Sequence, residues 1–161
     1  MNKEALDRAI AALRLSDVFL SASATHLNQE FDPKYDERSE RLSFQIKNYV
    51  TESAVIEGES EDGEFLRIFR VKSELGVRFI CQDEKDSAEP EVLAFVEGTM
   101  EADYEITETN IIGDQEALDT FALNNVSYHV WPYWREYVTS QLSRMNMPKV
   151  FLPMRSTASN K

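Results

Sequence analysis

The side chains that most often perform catalysis are scarce in this chain of 161 residues. It contains two histidines, His26 and His129, and one cysteine, Cys81. Catalysis needs activated groups that converge on one site, and neither histidine stands in the spacing of a metal site or a catalytic triad. The five glycines are scattered, so there is no glycine-rich loop to hold a phosphate. The sequence therefore predicts a protein that is not an enzyme and needs neither metal nor cofactor.

The charge of the chain limits its partners. The formal net charge is −12, whereas nucleic-acid binding requires cations that replace phosphate counterions. A single cysteine allows no intrachain disulfide, which favours a reducing compartment. Apolar runs fall short of the ~18 residues of a membrane span, and charged residues interrupt the region where a signal peptide would stand. We therefore predict a cytoplasmic protein that binds no nucleic acid and does not insert into membranes.

The periodicity of the apolar residues predicts an α+β fold in a single domain, 1–161. Residues 2–13 have one apolar helical face, and residues 13–107 contain four runs typical of strands, joined by polar loops. Residues 114–147 predict two helices, the first capped by the carboxylate of Asp114, and the polar residues 154–161 predict a disordered tail. Strands followed by helices indicate a four-stranded antiparallel sheet with an extra N-terminal helix and C-terminal helices on one side.

Two of the predicted strands show a clear alternation of apolar and polar residues, which indicates one buried side and one wet side. In the second strand the apolar side is broken only by Asn48. In the fourth strand the polar side carries acidic residues that we expect to face water: Glu101, Asp103 and Glu105.

The stretch 128–153 reads YHVWPYWREYVTSQLSRMNMPKVFLP and contains the most specific pattern of the chain. Pro132 favours the first position of a helix, where its missing N–H would be unpaired anyway. An apolar stripe follows at helical spacing and consists of Trp134, Val138, Leu142 and Met145. The predicted helix ends at Met147-Pro148. This stretch resembles the SecB family of protein-export chaperones, in which such a helix start leads into a long helix and a proline-punctuated tail.

The resemblance spans residues 13–153 and implies a quaternary structure. Members of the SecB family assemble as homotetramers, as a dimer of dimers. By the resemblance, the stripe of Trp134, Val138, Leu142 and Met145 would lie on the helix that joins the dimers. The alternative is that this stripe packs only on its own sheet, with Tyr133, Tyr137 and Arg144 forming a second surface.

The resemblance also implies a site for unfolded polypeptide. SecB proteins bind such clients in apolar grooves beside the loop between the first two strands. The matching positions are Leu42, Phe44 and Ile46 on the second strand, with Phe31 and Tyr35 in the bordering loop. A groove of this kind offers apolar area and sheet-edge hydrogen bonds without demanding a sequence. Alternatively, the three strand residues belong to an ordinary core.

A second implied surface concerns the export motor SecA, which docks on an acidic sheet surface of the family. Asp17 on the first strand and Glu97 on the fourth match this surface, and Phe95 is an apolar neighbour. The alternative is that these side chains are simply solvated, as is usual for an acidic strand face.

Two departures from the family pattern qualify the function. The family helix ends in Arg-Gly-x-Phe-Pro, whereas Arg144 is followed by Met145. The chain also ends at Lys161, without the further helix that covers the groove in export chaperones, and we hypothesise that residues 2–13 replace this lid or cover the sheet. These departures resemble the divergent SecB-like chaperones that accompany toxin–antitoxin pairs.

The sequence thus predicts an ATP-independent holdase that keeps unfolded polypeptides soluble. Its clients would be either an antitoxin or secretory precursors. Two alternatives stay open: an oligomeric interaction protein without holdase activity, and a small-ligand-binding or hydrolase domain, which would have one deep pocket with convergent polar groups.

Overall fold

The computed structural model describes residues 1–154, which form helices on one side of a single sheet. The predicted disordered tail, 154–161, lies outside these residues except for the exposed Met154. In residues 1–154 no helix has the length and apolar character that crossing a bilayer requires. The elements in chain order are α1 (Lys3–Ala12), β1 (Leu13–Leu27), β2 (Leu42–Glu59), β3 (Phe65–Cys81), β4 (Val92–Ile106), α2 (Gln115–Asn124) and α3 (Val126–Arg144), with 3₁₀ turns at Glu37–Arg41, Gln82–Glu84 and Thr109–Gly113.

The four strands form one antiparallel sheet in the order β1-β4-β3-β2. The long polar loop 28–41 therefore connects the two edge strands, β1 and β2, around one end of the sheet. A tight turn joins β2 to β3, where Gly63 adopts a positive φ of 79° that favours glycine. The predicted four-stranded antiparallel sheet with C-terminal helices is confirmed.

The two sides of the sheet differ in what covers them. The ring of Tyr104 meets Phe121 of α2 edge-on, with the ring centroids 4.9 Å apart. Trp134 of α3 lies so close to Gly98 that a Cβ there would stand 3.0 Å from the indole ring. Tyr104 and Gly98 therefore define the helix side of the sheet, and the alternation of side chains assigns the intervening residues to the opposite, open side.

The open side is drier at its centre than the sequence suggests. Glu101 and Asp103 were expected to face water, yet they are only 7% and 6% exposed. Arg70 explains this difference, because its guanidinium holds both oxygens of Asp103 at 2.6 and 2.7 Å and lies 3.4 Å from Glu101. The ring of Phe19 stacks on the same guanidinium. An ion pair with an aromatic cover thus replaces hydration.

Helix α1 packs mainly on α2 and lies at one end of the sheet. Its buried face consists of Ala5, Ala9 and Ala12, whose small side chains allow a close approach. Asp114 caps α2 by accepting from the Ala117 N–H at 3.1 Å, and it also pairs with Arg8 of α1 at 2.7 Å. The predicted cap at Asp114 is confirmed, and one carboxylate joins the two helices.

Helix α3 begins earlier than the sequence suggests. The preference of proline predicts a helix start at Pro132, but α3 begins at Val126 and Pro132 lies inside it. Val126 and Val130 are fully buried, so core packing holds the extra turns even though Pro132 cannot donate a backbone hydrogen bond.

The end of α3 turns the chain back along the helix. Asn146 adopts a left-handed conformation with φ 57°. The N–H of Met147 donates to the Leu142 carbonyl at 3.0 Å, and that of Asn146 to the Ser143 carbonyl at 3.3 Å. This is a Schellman motif, in which asparagine does what glycine usually does. Residues 147–153, here called the C-terminal strap, then return along α3 until the Trp131 indole N–H donates to the Pro153 carbonyl at 2.9 Å.

Candidate functional site

The predicted groove residues of β2 share one side of an edge strand. Phe44 pairs with Phe79 and Ile46 with Val77, and both partners are buried on the helix side. Leu42, Phe44 and Ile46 therefore form a row of apolar side chains on that side, here called the β2 row. Phe44 contacts Phe79 with ring centroids 6.4 Å apart, whereas Ile46 keeps 39% of its surface exposed. The row is half core and half surface.

The β2 row is exposed because the helices lie elsewhere. Helix α3 packs on β4, β1 and β3, and α1 packs on α2. Helix α2 does contact β2, but its Phe121 meets Tyr104, which is level with Val55 and not with the β2 row.

The Ala12 carbonyl, at the end of α1, accepts from the Thr107 N–H, just beyond the end of β4. Phe44 lies level with Ala94, at the other end of β4, which is about 40 Å away at the rise of an extended strand. Within one chain, helix α1 therefore does not replace a lid over the β2 row, and this part of the hypothesis is wrong. The other part, that residues 2–13 cover the sheet, holds only at the start of β1, where α1 has its few sheet contacts.

Asn48 ends the apolar row, as the sequence indicated. Its side-chain amide nitrogen is buried without a hydrogen-bond partner among the described residues, and so is the hydroxyl of Ser73 on β3. Asn48 pairs with Leu75 and Val50 with Ser73, so the two polar groups are diagonal neighbours on the helix side. They mark a polar boundary that limits the apolar row to Leu42, Phe44 and Ile46.

The loop between β1 and β2 separates the two aromatic residues predicted to border the groove. Phe31 is 3% exposed and belongs to the core, whereas Tyr35 is 78% exposed. Arg38 fixes this arrangement, because it lies over the Phe31 ring, pairs with Glu91 and donates to the Glu30 carbonyl. Phe31 therefore offers almost no surface to a ligand, and its assignment to the groove border is corrected to core packing.

The three residues of the predicted acidic surface share the open side but do not form one patch. Asp17 pairs with Asp103, which is six residues along β4 from Glu97; this separation is about 20 Å. Lys47 of β2 lies 3.2 Å from Glu97, and Phe95 stacks on His26 with ring centroids 5.4 Å apart. The carboxylates of Asp17 and Glu97 therefore lie apart on the open side, and Lys47 neutralises the charge of Glu97.

The apolar stripe of α3 packs on its own sheet. Trp134, Val138 and Leu142 are 0%, 0% and 3% exposed in a single chain. A fully buried side chain has no surface for a second copy, so these three residues belong to the core, as in the alternative interpretation. Met145 is half-buried at the edge of the same core. The other side of α3 is exposed, most of all at Tyr133.

One histidine takes part in the core. The hydroxyl of Tyr104 lies 2.8 Å from Nδ1 of His129, and both rings contact Phe121. Burial raises the pKa of Tyr104 above its usual range and lowers the pKa of His129. The phenol therefore donates and the neutral imidazole accepts. His129 lies inside α3, in its first turns.

A cleft that the sequence did not predict lies between α3 and the C-terminal strap. It has a volume of about 480 Å³ and is lined by apolar residues of both segments together with Arg135 and Lys149. The apolar run after Pro148 was visible in the sequence, but its return along α3 depends on the left-handed turn at Asn146. That turn was hidden because the family pattern has glycine one position earlier.

Comparisons with known proteins identify the fold. No family model and no curated protein matches the sequence. Among solved structures, the SecB-like chaperone Rv1957 of Mycobacterium tuberculosis, in complex with a ChAD peptide from the HigA1 antitoxin Rv1956, superposes with a TM-score of 0.69 at 18% identity. The match covers 96% of this chain and 98% of that chain. This chain has the SecB-like fold.

A second solved structure, a protein of unknown function from Streptococcus agalactiae, matches over 88% of this chain and 98% of that chain. Its TM-score of 0.35 and identity of 10% are too low to support any inference. Within residues 1–154, the β2 row and the cleft beside α3 are two apolar surfaces that the helices leave accessible.

Proposed function

We propose that the protein is an ATP-independent chaperone that holds unfolded polypeptide segments on the β2 row. The observation that carries this proposal is the exposure of Ile46 beside the half-buried Phe44 on an edge strand. The SecB-like fold supports it, because a solved protein with this fold binds an antitoxin peptide.

The geometry suits a client without a fixed sequence. An edge strand has unpaired backbone groups, and an extended client can add to it while placing alternate side chains on the apolar row. Burial of client side chains there stabilises the complex by about 25 cal/mol per Å² of apolar area. Neither contribution requires ATP or a particular residue, which is what a holdase needs.

For the client we propose an antitoxin rather than secretory precursors delivered to SecA. The antitoxin peptide on the structural neighbour supports this choice. Docking of the export motor would need an acidic surface, and here Lys47 pairs with both Glu97 and Glu74 at the centre of the open side. The cation weakens the attraction of that surface for a basic partner.

We further propose that the protein acts in the cytoplasm as a homotetramer. Because the apolar stripe of α3 is buried within one chain, the contact between copies would use the exposed side of that helix instead. Tyr133 is 51% exposed there, and aromatic side chains of this kind are enriched in interfaces.

Two isoleucines of β2 provide a matched test of the client site. Ile46 and Ile56 are 39% and 40% exposed, and they lie on opposite sides of the sheet. We expect Ile46→Asp to abolish most of the suppression of aggregation of a chemically unfolded model client, measured by light scattering. Ile56→Asp should keep the wild-type suppression, since the open side takes no part.

Equal loss of suppression in the two variants would contradict the assignment to the β2 row. A wild-type protein that assembles but suppresses no aggregation would contradict holdase activity itself and favour the interaction-protein alternative. Circular dichroism of both variants checks that the added carboxylates leave the fold intact.

A further inference from the structure

The cleft between α3 and the C-terminal strap combines apolar walls with two cations. Leu142 lines it from the helix, and Val150 and Leu152 line it from the strap. Arg135 and Lys149 stand on the two walls as well. Its volume of about 480 Å³ lies within the range of sites that take small molecules or short peptide segments.

The two cations have no anionic partner in the part of the chain that the structure describes. No carboxylate of residues 1–154 lies within ion-pair distance of Arg135 or Lys149, although seven other cations have one. The Arg135 Nε is buried without a hydrogen-bond partner, and its Nη1 has only the Met154 sulfur at 3.3 Å. Glu136 does not line this cleft, but it lines an adjoining hollow that shares Arg135, Thr139 and Ser143 with it.

Other cations of residues 1–154, such as Arg14 and Arg144, also lie without an ion-pair partner. What distinguishes Arg135 is that its Nε is buried without an acceptor, in a protein with a net charge of −12. A buried guanidinium nitrogen without an acceptor costs free energy that a bound anion would recover. The negative charge of the rest of the molecule repels acidic ligands. The cleft is therefore a place where an acidic ligand meets attraction rather than repulsion.

The polar groups of the cleft suit a peptide backbone. Thr139, Ser143 and Asn146 line it along one side of α3. Thr139 and Ser143 are four residues apart on α3, about 6 Å along the helix, and Asn146 follows beyond the helix end. Two residues of an extended peptide span about 6.8 Å, so alternate backbone groups of a bound segment can reach both hydroxyls. Ser143 can act as a donor or acceptor and Thr139 as an acceptor, because the Thr139 hydroxyl donates to the Arg135 carbonyl.

We propose that this cleft is a second binding site, which takes an extended acidic peptide segment. An apolar side chain of the segment enters between α3 and the strap, and a neighbouring carboxylate pairs with Arg135 and Lys149. The site is separate from the β2 row and does not depend on the holdase function proposed for that row.

The test uses two labelled peptides with blocked ends, in which leucine and valine alternate with glutamate in one and with lysine in the other. We expect fluorescence anisotropy at low salt to show tighter binding of the acidic peptide. The double substitution Arg135→Gln and Lys149→Gln should weaken its binding about tenfold, the effect of two partly exposed ion pairs. Lys3→Gln with Lys85→Gln removes the same charge elsewhere and should leave binding unchanged.

Three results would overturn the proposal: no preference for the acidic peptide, a preference that survives in the Arg135/Lys149 variant, or equal weakening in the Lys3/Lys85 control. The variant Ile46→Asp separates this site from the β2 row, and it should bind the acidic peptide as the wild type does. If Ile46→Asp loses the peptide while the Arg135/Lys149 variant keeps it, the peptide occupies the β2 row and the cleft proposal fails. If suppression of aggregation fails while the cleft still binds the peptide, only the holdase proposal is lost.

Discussion

The helix sides of β4 and β2 have the same alternating pattern but different cover. On β4, Met100, Ala102 and Tyr104 are at most 3% exposed. On β2, Phe44 is half-buried and Ile46 is 39% exposed, although both pair with a strand whose helix side is buried. The alternation of a strand therefore determines which side is apolar, and the position of the helices determines whether that side is covered.

The cover over β4 depends on one small residue and one aromatic layer. Gly98 leaves space for the Trp134 ring, which brings α3 directly onto β4. Tyr104, Phe121 and His129 then fill the space towards α2. The β2 row has no equivalent layer, and we attribute its exposure to this difference.

The largest expected effect on stability comes from truncating one phenylalanine in each of the two regions. Phe69 is 1% exposed beside Tyr104, so Phe69→Ala should lower the free energy of unfolding by about 3–5 kcal/mol. Phe44→Ala should lower it by about 1–2 kcal/mol, because part of the Phe44 ring is already in water. Urea unfolding measures both values. A cost for Phe44 equal to that for Phe69 would show that the β2 row is ordinary core.

A smaller expected effect is the loss of stability at acid pH, which depends on His129 in the covered region. Burial lowers the pKa of His129, so the unfolded chain binds a proton before the folded chain does. The contribution of neutral His129 to stability is therefore present above the ordinary histidine pKa of about 6.5 and is lost as the pH falls through the lower pKa of the folded state.

We expect the free energy of unfolding of the wild type to fall, relative to that of His129→Gln, between pH 7 and pH 5. Chemical denaturation at several pH values measures this difference, and glutamine keeps a partner for the Tyr104 hydroxyl without titrating in that range. An unchanged difference over this range would contradict the buried, neutral state of His129.

Sequence patterns were enough to predict the strands of the sheet, the helices that follow them and the cap of one helix. The order of strands and helices and the cap at Asp114 follow from periodicity and side-chain chemistry, and both are confirmed. The start of α3 could not be read from Pro132, because burial of Val126 and Val130 outweighs the local preference of proline. The burial of Glu101 and Asp103 depends on Arg70, which is distant in sequence.

The candidate site was predicted in part. Leu42, Phe44 and Ile46 lie together as expected, because the alternation of one strand is local information. Phe31 was misassigned, since a lone aromatic residue in a polar loop gives no sign of whether it is buried. The cations of the cleft were missed because Arg135 and Lys149 line the same cleft only through the turn at Asn146.

The central claim is that a client polypeptide lies on the β2 row and not on the open side of the same strand. The most direct measurement places a photo-crosslinking amino acid at position 46 or at position 56, where the native isoleucines are equally exposed, and illuminates each protein with an unfolded client. We predict a strong crosslink from position 46 and a weak one from position 56. Equal crosslinks from both positions, or a stronger one from position 56, would contradict the account.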